Sequence, residues 1–358
     1  MKPTRQLRIL GQSLWLDFIT RDLLDQGALQ RYIDELWVTG LTSNPTIFDR
    51  AISRSPAYDK SIRRFRDRGD SGETLLFALV IEDLTRAADL FRPVYDRTAG
   101  VDGFVSLEVS PELAYDTERT VRQARNLHAE AERPNLFIKI PGTREGVPAI
   151  EAAVFAGVPV NVTLLFSREQ YLAAADAYLR ALERRVNAGL SPDVRSVASL
   201  FVSRWDKAVM DRVPEPLRNR LGIAVGRQMY RAYRDLLESD RWQRLANQGA
   251  RPQRLLFAST GTKDPDASDV LYIEALAAPQ TINTMPEETL LAFADHGRVN
   301  GTLPRDGGDA DRELAEFAAA GIDLAALADR LQTEGARAFV DSWRDLLGSL
   351  ESKLQRMT

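Results

Sequence analysis

Eight short apolar or β-branched runs, each followed by a stretch with helical spacing, constrain the fold of this chain more than any other feature. They cover residues 14–18, 38–41, 103–109, 135–141, 158–165, 196–202, 255–259 and 280–284. Strands repeat with period two and helices with period 3.6, so this alternation predicts repeated βα units. Such units cross over right-handed and give either an open doubly wound sheet or a closed barrel. The count of eight favours an α/β fold of the (β/α)8 TIM-barrel type with additional helices. Barrels with insertions reach the 358 residues present here, so one domain over 1–358 is expected.

The segments between the runs carry their own signals. Thr20 can cap a helical stretch reaching residue 36, and Pro45 fits the first turn of the helix after the second run. Residues 55–98 read as a helical insertion, a structural decoration, with Leu75, Leu76, Leu79, Ile81, Leu84 and Ala88 at roughly helical spacing. A further helix is expected to hold Pro111 in its first turn and to run toward Glu132. Ser167 is placed to cap an amphipathic helix to residue 185, and residues 205–248 are helix-forming with breaks at Pro214 and Pro216. C-terminal helices are expected over about 309–354. Leu327, Leu331, Phe339, Trp343, Leu346 and Leu350 form an apolar stripe there that needs a cover, either the barrel itself or a second copy in a homodimer.

Composition excludes several classes. Hydrophobic residues at 44% suffice for a large core, and a net charge of −4 gives no electrostatic footprint for nucleic acid. With no cysteine there is no disulfide framework, thiolate metal site or cysteine nucleophile. His128 and His296 are too few for a three-histidine metal site. The first apolar run is interrupted by Asp17 before it reaches membrane-spanning length. The expectation is a cytoplasmic protein acting on small molecules, with neither nucleic acid nor membrane as partner.

Polar residues cluster at the carboxyl ends of the apolar runs: Asp17, Thr42 with Asn44, Glu108, Lys139, Asn161 with Thr163, Ser199, Ser259 and Asn283. In a barrel these ends meet at one mouth. The spacing of two between Ser106 and Glu108, and between Asn161 and Thr163, leaves Val105, Leu107 and Val109, or Val160, Val162 and Leu164, on the opposite face. Lys139 shares a face with Phe137 and Pro141, where an apolar residue is expected. An amine with an ordinary pKa near ~10.4 is almost wholly protonated at neutral pH, so a nucleophilic lysine needs burial or neighbouring charge. The alternative is a strand-end lysine that snorkels to solvent. Read singly, Asp17 is also a helix-capping neighbour, Glu108 an ion-pair partner and Asn44 a turn-shaper before Pro45. Their convergence on one lysine suits Schiff-base chemistry, in which an iminium acts as electron sink and carboxylates move protons.

Two motifs carry a family resemblance. GLTSNPTIF, residues 40–48, and FIKIPGTREGVPAIEAA, residues 137–153, followed by VPVNVTLLFS at 158–167, resemble the signatures of transaldolase, in its longer bacterial-type subgroup. The resemblance implies transfer of a dihydroxyacetone unit between ketose and aldose phosphates in the pentose phosphate pathway, with sugar phosphates as partners and no metal or organic cofactor. It implies a Schiff base on Lys139, proton removal by Asp17 during carbon–carbon cleavage, and Glu108 acting through a water with Thr163. Asn44, Asn161 and Ser199 match positions that hydrogen-bond the three-carbon unit, Phe201 lies by the substrate and Arg204 on its phosphate. The chain departs from the family pattern after the seventh run. There ASTGTKDP offers Ser259 and then Lys263 where an arginine is common, a point charge in place of a bidentate fork. Relatives that release free dihydroxyacetone from fructose 6-phosphate tend to carry tyrosine where this chain has Glu108. A catalytically silent sugar-phosphate-binding barrel is the rival of another class.

Overall fold

The computed structural model describes residues 1–357, the side chain of Arg54 excepted. Eight parallel strands close into a barrel in sequence order. They are β1 (Ser13–Asp17), β2 (Val38–Thr42), β3 (Val105–Glu108), β4 (Leu136–Pro141), β5 (Val160–Leu165), β6 (Ser196–Phe201), β7 (Gln253–Ala258) and β8 (Ile282–Met285). β1 pairs with both β2 and β8, so no edge strand is left open. Residues of β2 to β8 are buried throughout, as expected of parallel strands jacketed by helices.

Register decides which side chains meet inside. Glu108 pairs with Lys139, Lys139 with Asn161, Pro141 with Thr163, and Asp17 with Thr42. Below the lysine the interior is filled by aromatic rings: Trp15 and Phe137 lie 6.2 Å apart, and Phe104 stacks on Phe137 at 4.1 Å. This barrel is a packed core rather than a pore.

Several local expectations change. The helical stretch after β1 is two helices, Arg21–Asp25 capped by Thr20 and Ala28–Leu36, because Gly27 adopts a left-handed conformation at φ 68°. Pro111 opens only a 3-10 turn, Pro111–Leu113; the following helix is Thr117–Ala131, where the Asp116 carboxylate accepts the amide of Arg119. A side-chain acceptor three residues ahead is a stronger start signal than the proline. β7 begins two residues before the apolar run, because the polar side chains there are bonded inside the fold. Arg254 donates to Ser13 Oγ and to the carbonyls of Val101 and Thr281, and Gln253 donates to Ser196 Oγ.

The segment read as decoration contains Gly72–Arg97, a helix that packs on β2 and β3 and buries Leu75, Leu76, Leu79, Ile81, Leu84 and Ala88. It is part of the jacket. The C-terminal helix, Leu324–Gln355, lies along helix Pro45–Arg54 and reaches β5. All six residues of its apolar stripe are buried against the rest of the chain, so this stripe docks on the barrel's own helices. Among the described residues, no helix is long and apolar enough to cross a membrane.

After β4 the chain doubles back tightly into helix Gly146–Phe155. A Cβ at Gly146 would lie 1.9 Å from the carbonyl oxygen of Pro141, with no flexible side chain to give way. Gly146→Ala is therefore expected to lose about 1–3 kcal/mol of stability through forced backbone movement at the end of β4. Chemical unfolding measures it, and an unchanged midpoint and slope would show that residues 142–146 re-route freely.

Candidate active site

The carboxyl ends of the strands surround a cavity of about 120 Å³. Asp17 and Asn44 line it from the β1 and β2 side, Lys139 from β4, Ser199 and Phe201 from β6, and Arg204 from the helix Ser203–Val209 that follows it. Ser259 and Lys263 complete the wall beyond β7. Nine of the thirteen residues singled out in the sequence, Thr42 among them, thus face one space; Glu108, Asn161, Thr163 and Asn283 do not line it. It adjoins a wider chamber of about 600 Å³ that shares Asp17, Asn44, Arg204 and Lys263 and extends to Thr46 and Arg50. The inner space suits a small fragment beside the lysine, and the outer one suits the remainder of a longer ligand.

Lys139 is 4% exposed and does not snorkel. Its Nζ donates to the carbonyl of Ser43 at 3.1 Å and to Glu108 Oε2 at 3.3 Å. Glu108 Oε1 and Thr163 Oγ1 are buried and make no hydrogen bond within the protein. Those two atoms belong to the strands on either side of Lys139. Asp17 Oδ1 accepts from Thr42 Oγ1 at 2.7 Å; Thr42, having one hydroxyl proton, then accepts from Thr284 Oγ1, also at 2.7 Å.

Burial pushes both carboxyls above the ordinary carboxylate range. For Glu108 the attraction and hydrogen bond of Lys139 offset this only in part, and the negative Asp17 adds to it. For Asp17 the opposing pulls come from Lys139, the Thr42 hydroxyl and Lys263. Arg204 is pushed down by burial; its guanidinium lies 5.1 Å from the Phe201 ring and 5.8 Å from that of Phe339. Neither Arg204 nor Lys263 forms a salt bridge among the described residues, so two cations at the rim stay open to an anion.

The remaining expectations are placed differently. Asn44 uses its Oδ1 to cap helix Pro45–Arg54 through the amide of Ile47 at 3.1 Å, which leaves its NH2 for the cavity. Asn161 is fully buried, donating to Ser106 Oγ at 3.0 Å and accepting from Ser199 Oγ at 2.7 Å, so its amide holds Ser199 in place. Asn283 does not reach the cavity; Thr284 does. In the β1–β8 register Asn283 has the parity of Leu14, whereas Thr284 has that of Trp15 and hence of Asp17. Sequence reasoning also missed Phe339, whose ring lies 5.7 Å from Lys139 Nζ. It stands in the apolar stripe of the C-terminal helix, and nothing in that stripe distinguishes it.

A second cavity, of about 370 Å³, opens at the opposite end of the barrel beside Trp37 and Arg254. Its buried Arg254 is fully engaged with protein acceptors, and no lysine or free carboxylate lines it.

Fold and site together define a parallel (β/α)8 barrel centred on a buried lysine with one buried carboxyl group, Glu108, and one half-buried, Asp17. Comparison with known proteins is specific: the family Transaldolase/Fructose-6-phosphate aldolase matches residues 14–350, and the chain belongs to it. It is similar to proteins named transaldolase from Parafrankia sp. (strain EAN1pec), 47% identical with 99% of this chain and 98% of that protein covered, and Thermobifida fusca (strain YX), 46% identical with 99% of each covered. One from Thiobacillus denitrificans is 46% identical, covering 98% of this chain and 100% of its own length.

A carboxylate that must be ionised to act as a base loses activity as the pH falls through its folded-state pKa, and here burial raises that pKa. The acid limb of kcat/KM is therefore expected above the ordinary carboxylate value of ~4. A limb at or below that value in a steady-state pH profile would contradict the electrostatics of Asp17 and Glu108.

Proposed function

We propose that this chain is a transaldolase that moves a dihydroxyacetone unit from a ketose phosphate to an aldose phosphate through an imine on Lys139. The carrying observation is the buried Lys139 Nζ, 3.3 Å from Glu108, in a cavity that also holds Asp17. Membership of the family and near full-length identity to proteins named transaldolase support it.

The chemistry follows from the positions. The neutral amine adds to the donor's ketone; a C–N bond forms and the carbonyl oxygen takes up a proton to give a carbinolamine. Glu108 Oε1 and Thr163 Oγ1, each lacking a protein partner, hold a water that relays this proton. Loss of the hydroxyl as water then leaves the iminium. Asp17 removes the proton of the C4 hydroxyl, the C3–C4 bond breaks, and its electron pair flows into the iminium to give an enamine. The first aldose leaves. The acceptor enters, and the same steps run in reverse. Asn44 and Ser199 bind the hydroxyls of the retained three-carbon unit, with Asn161 behind Ser199. Arg204, Ser259 and Lys263 receive the phosphate, and Phe201 holds Arg204 by stacking.

Borohydride with fructose 6-phosphate is expected to fix a three-carbon group on Lys139, and Lys139→Arg to abolish both labelling and turnover, because guanidinium stays protonated. Peptide mapping checks this, and label on another lysine would overturn it. Asp17→Asn should still trap donor but slow cleavage by about 10²–10⁴-fold, whereas Glu108→Gln should slow trapping itself. The reverse pattern in rapid-quench experiments would exchange their roles.

Lys263→Ala tests the phosphate subsite. One charged hydrogen bond contributes about 1.5–3 kcal/mol, so kcat/KM for fructose 6-phosphate should fall by roughly 10- to 150-fold while unphosphorylated fructose is nearly unaffected. An unchanged preference for the phosphorylated donor would remove Lys263 from the site.

A further inference from the structure

Leu164, one residue after Thr163, has φ 60°, a left-handed conformation that a leucine rarely adopts. The β5–β6 register shifts at the same point: Val162 pairs with Ala198 but Leu165 with Leu200, so the β5 strand carries an extra residue. This is a β-bulge, a device that re-aims neighbouring side chains and frees a carbonyl from the ladder. Such strain persists only where the surroundings enforce it.

The enforcement comes from the C-terminal helix. Gln332 Nε2 donates to the carbonyl of Leu164 at 2.9 Å and to that of Gly142 at 3.0 Å. Both partners are acceptors, so only the amide nitrogen can face them. One side chain thus ties the bulge in β5 to the turn that follows the lysine strand, and Gly142 in turn donates its own amide to Thr163 O at 2.7 Å. Three residues along the same helix, Gly335 lets it approach: a Cβ there would stand 2.9 Å from Leu164 Cδ2 and 3.0 Å from Arg204 Nη1. The helix itself is docked through its buried stripe, which does not include position 332.

We propose that Gln332 is a positioning residue for imine formation: it holds the Leu164 bulge that directs Thr163 toward the relay water it shares with Glu108. This rests on the transaldolase reading above. Gln332 touches no reacting atom. Its effect is transmitted through the backbone of Gly142, Thr163 and Leu164, so it should appear in the rate of imine formation rather than in donor affinity.

Single-turnover borohydride trapping at Lys139, with KM and thermal midpoint measured alongside, tests this on the full chain. For Gln332→Met, of similar length but without donors, the trapping rate constant should fall about tenfold, the size that losing two neutral hydrogen bonds allows, with KM for fructose 6-phosphate within about twofold of wild type. A role confined to stability would lower the thermal midpoint and leave the rate constant of the folded enzyme unchanged. Gln332→Glu supplies a second reading, and carries the test if Gln332→Met does not fold. An ionised carboxylate donates nothing to the two carbonyls, so at about pH 8 the trapping rate constant of Gln332→Glu should fall at least as far as that of Gln332→Met. Wild-type trapping constants in both variants, or a slower rate with KM raised in step, would each overturn the inference. Absence of any label on Lys139 in wild type would instead overturn the transaldolase reading, and the inference with it.

Discussion

The burial of one amine organises the mouth of this barrel. Lys139 lies among apolar strands where an unpaired ammonium carries a large desolvation cost, so the fold must supply partners within hydrogen-bond reach. Glu108 and the Ser43 carbonyl do so. The same dry surroundings act on the partners, which is why Glu108 and Asp17 are both pushed up. Burial that keeps the amine out of solvent therefore also holds the carboxyls closer to the protonation range of acid–base work.

Parallel pairing converts that local arrangement into a site. The Glu108, Lys139 and Asn161 row follows from the register of three adjacent strands, with Ser106 and Ser199 completing a hydrogen-bonded floor around Asn161. Nothing in this floor is mobile side chain alone: each group is anchored on a strand, and the barrel closes without an edge. Packing by Trp15, Phe137 and Phe104 fills the space beneath. The cavity lies above this packing, with Arg204 and Lys263 in its wall.

The C-terminal helix completes what the barrel begins. Along one face it brings Phe339 near Lys139 and Arg204, Gly335 against Leu164, and Gln332 onto the ends of β4 and β5. Its apolar stripe supplies the docking energy. The polar and aromatic contacts use that docking to order groups at the mouth.

The βα alternation, the eight strands to within a few residues, and the lysine with carboxyl and hydroxyl residues at strand ends can all be read from residue order alone. These are legible because strand and helix periods are local and a polar residue inside an apolar run is conspicuous. Boundaries failed where a distant partner made a polar residue compatible with a strand, as at Arg254, or where a side-chain cap outweighed a proline, as at Asp116. That Thr284 rather than Asn283 faces the cavity emerges only on folding, since it depends on the register of β8 against β1. The same holds for Asn161 bonding Ser199, for the bulge at Leu164, and for Gln332 and Phe339 reaching the mouth from a helix more than a hundred residues downstream. Contacts between residues so far apart along the chain leave no periodicity to read; they exist only once closure of the barrel has fixed where each strand ends.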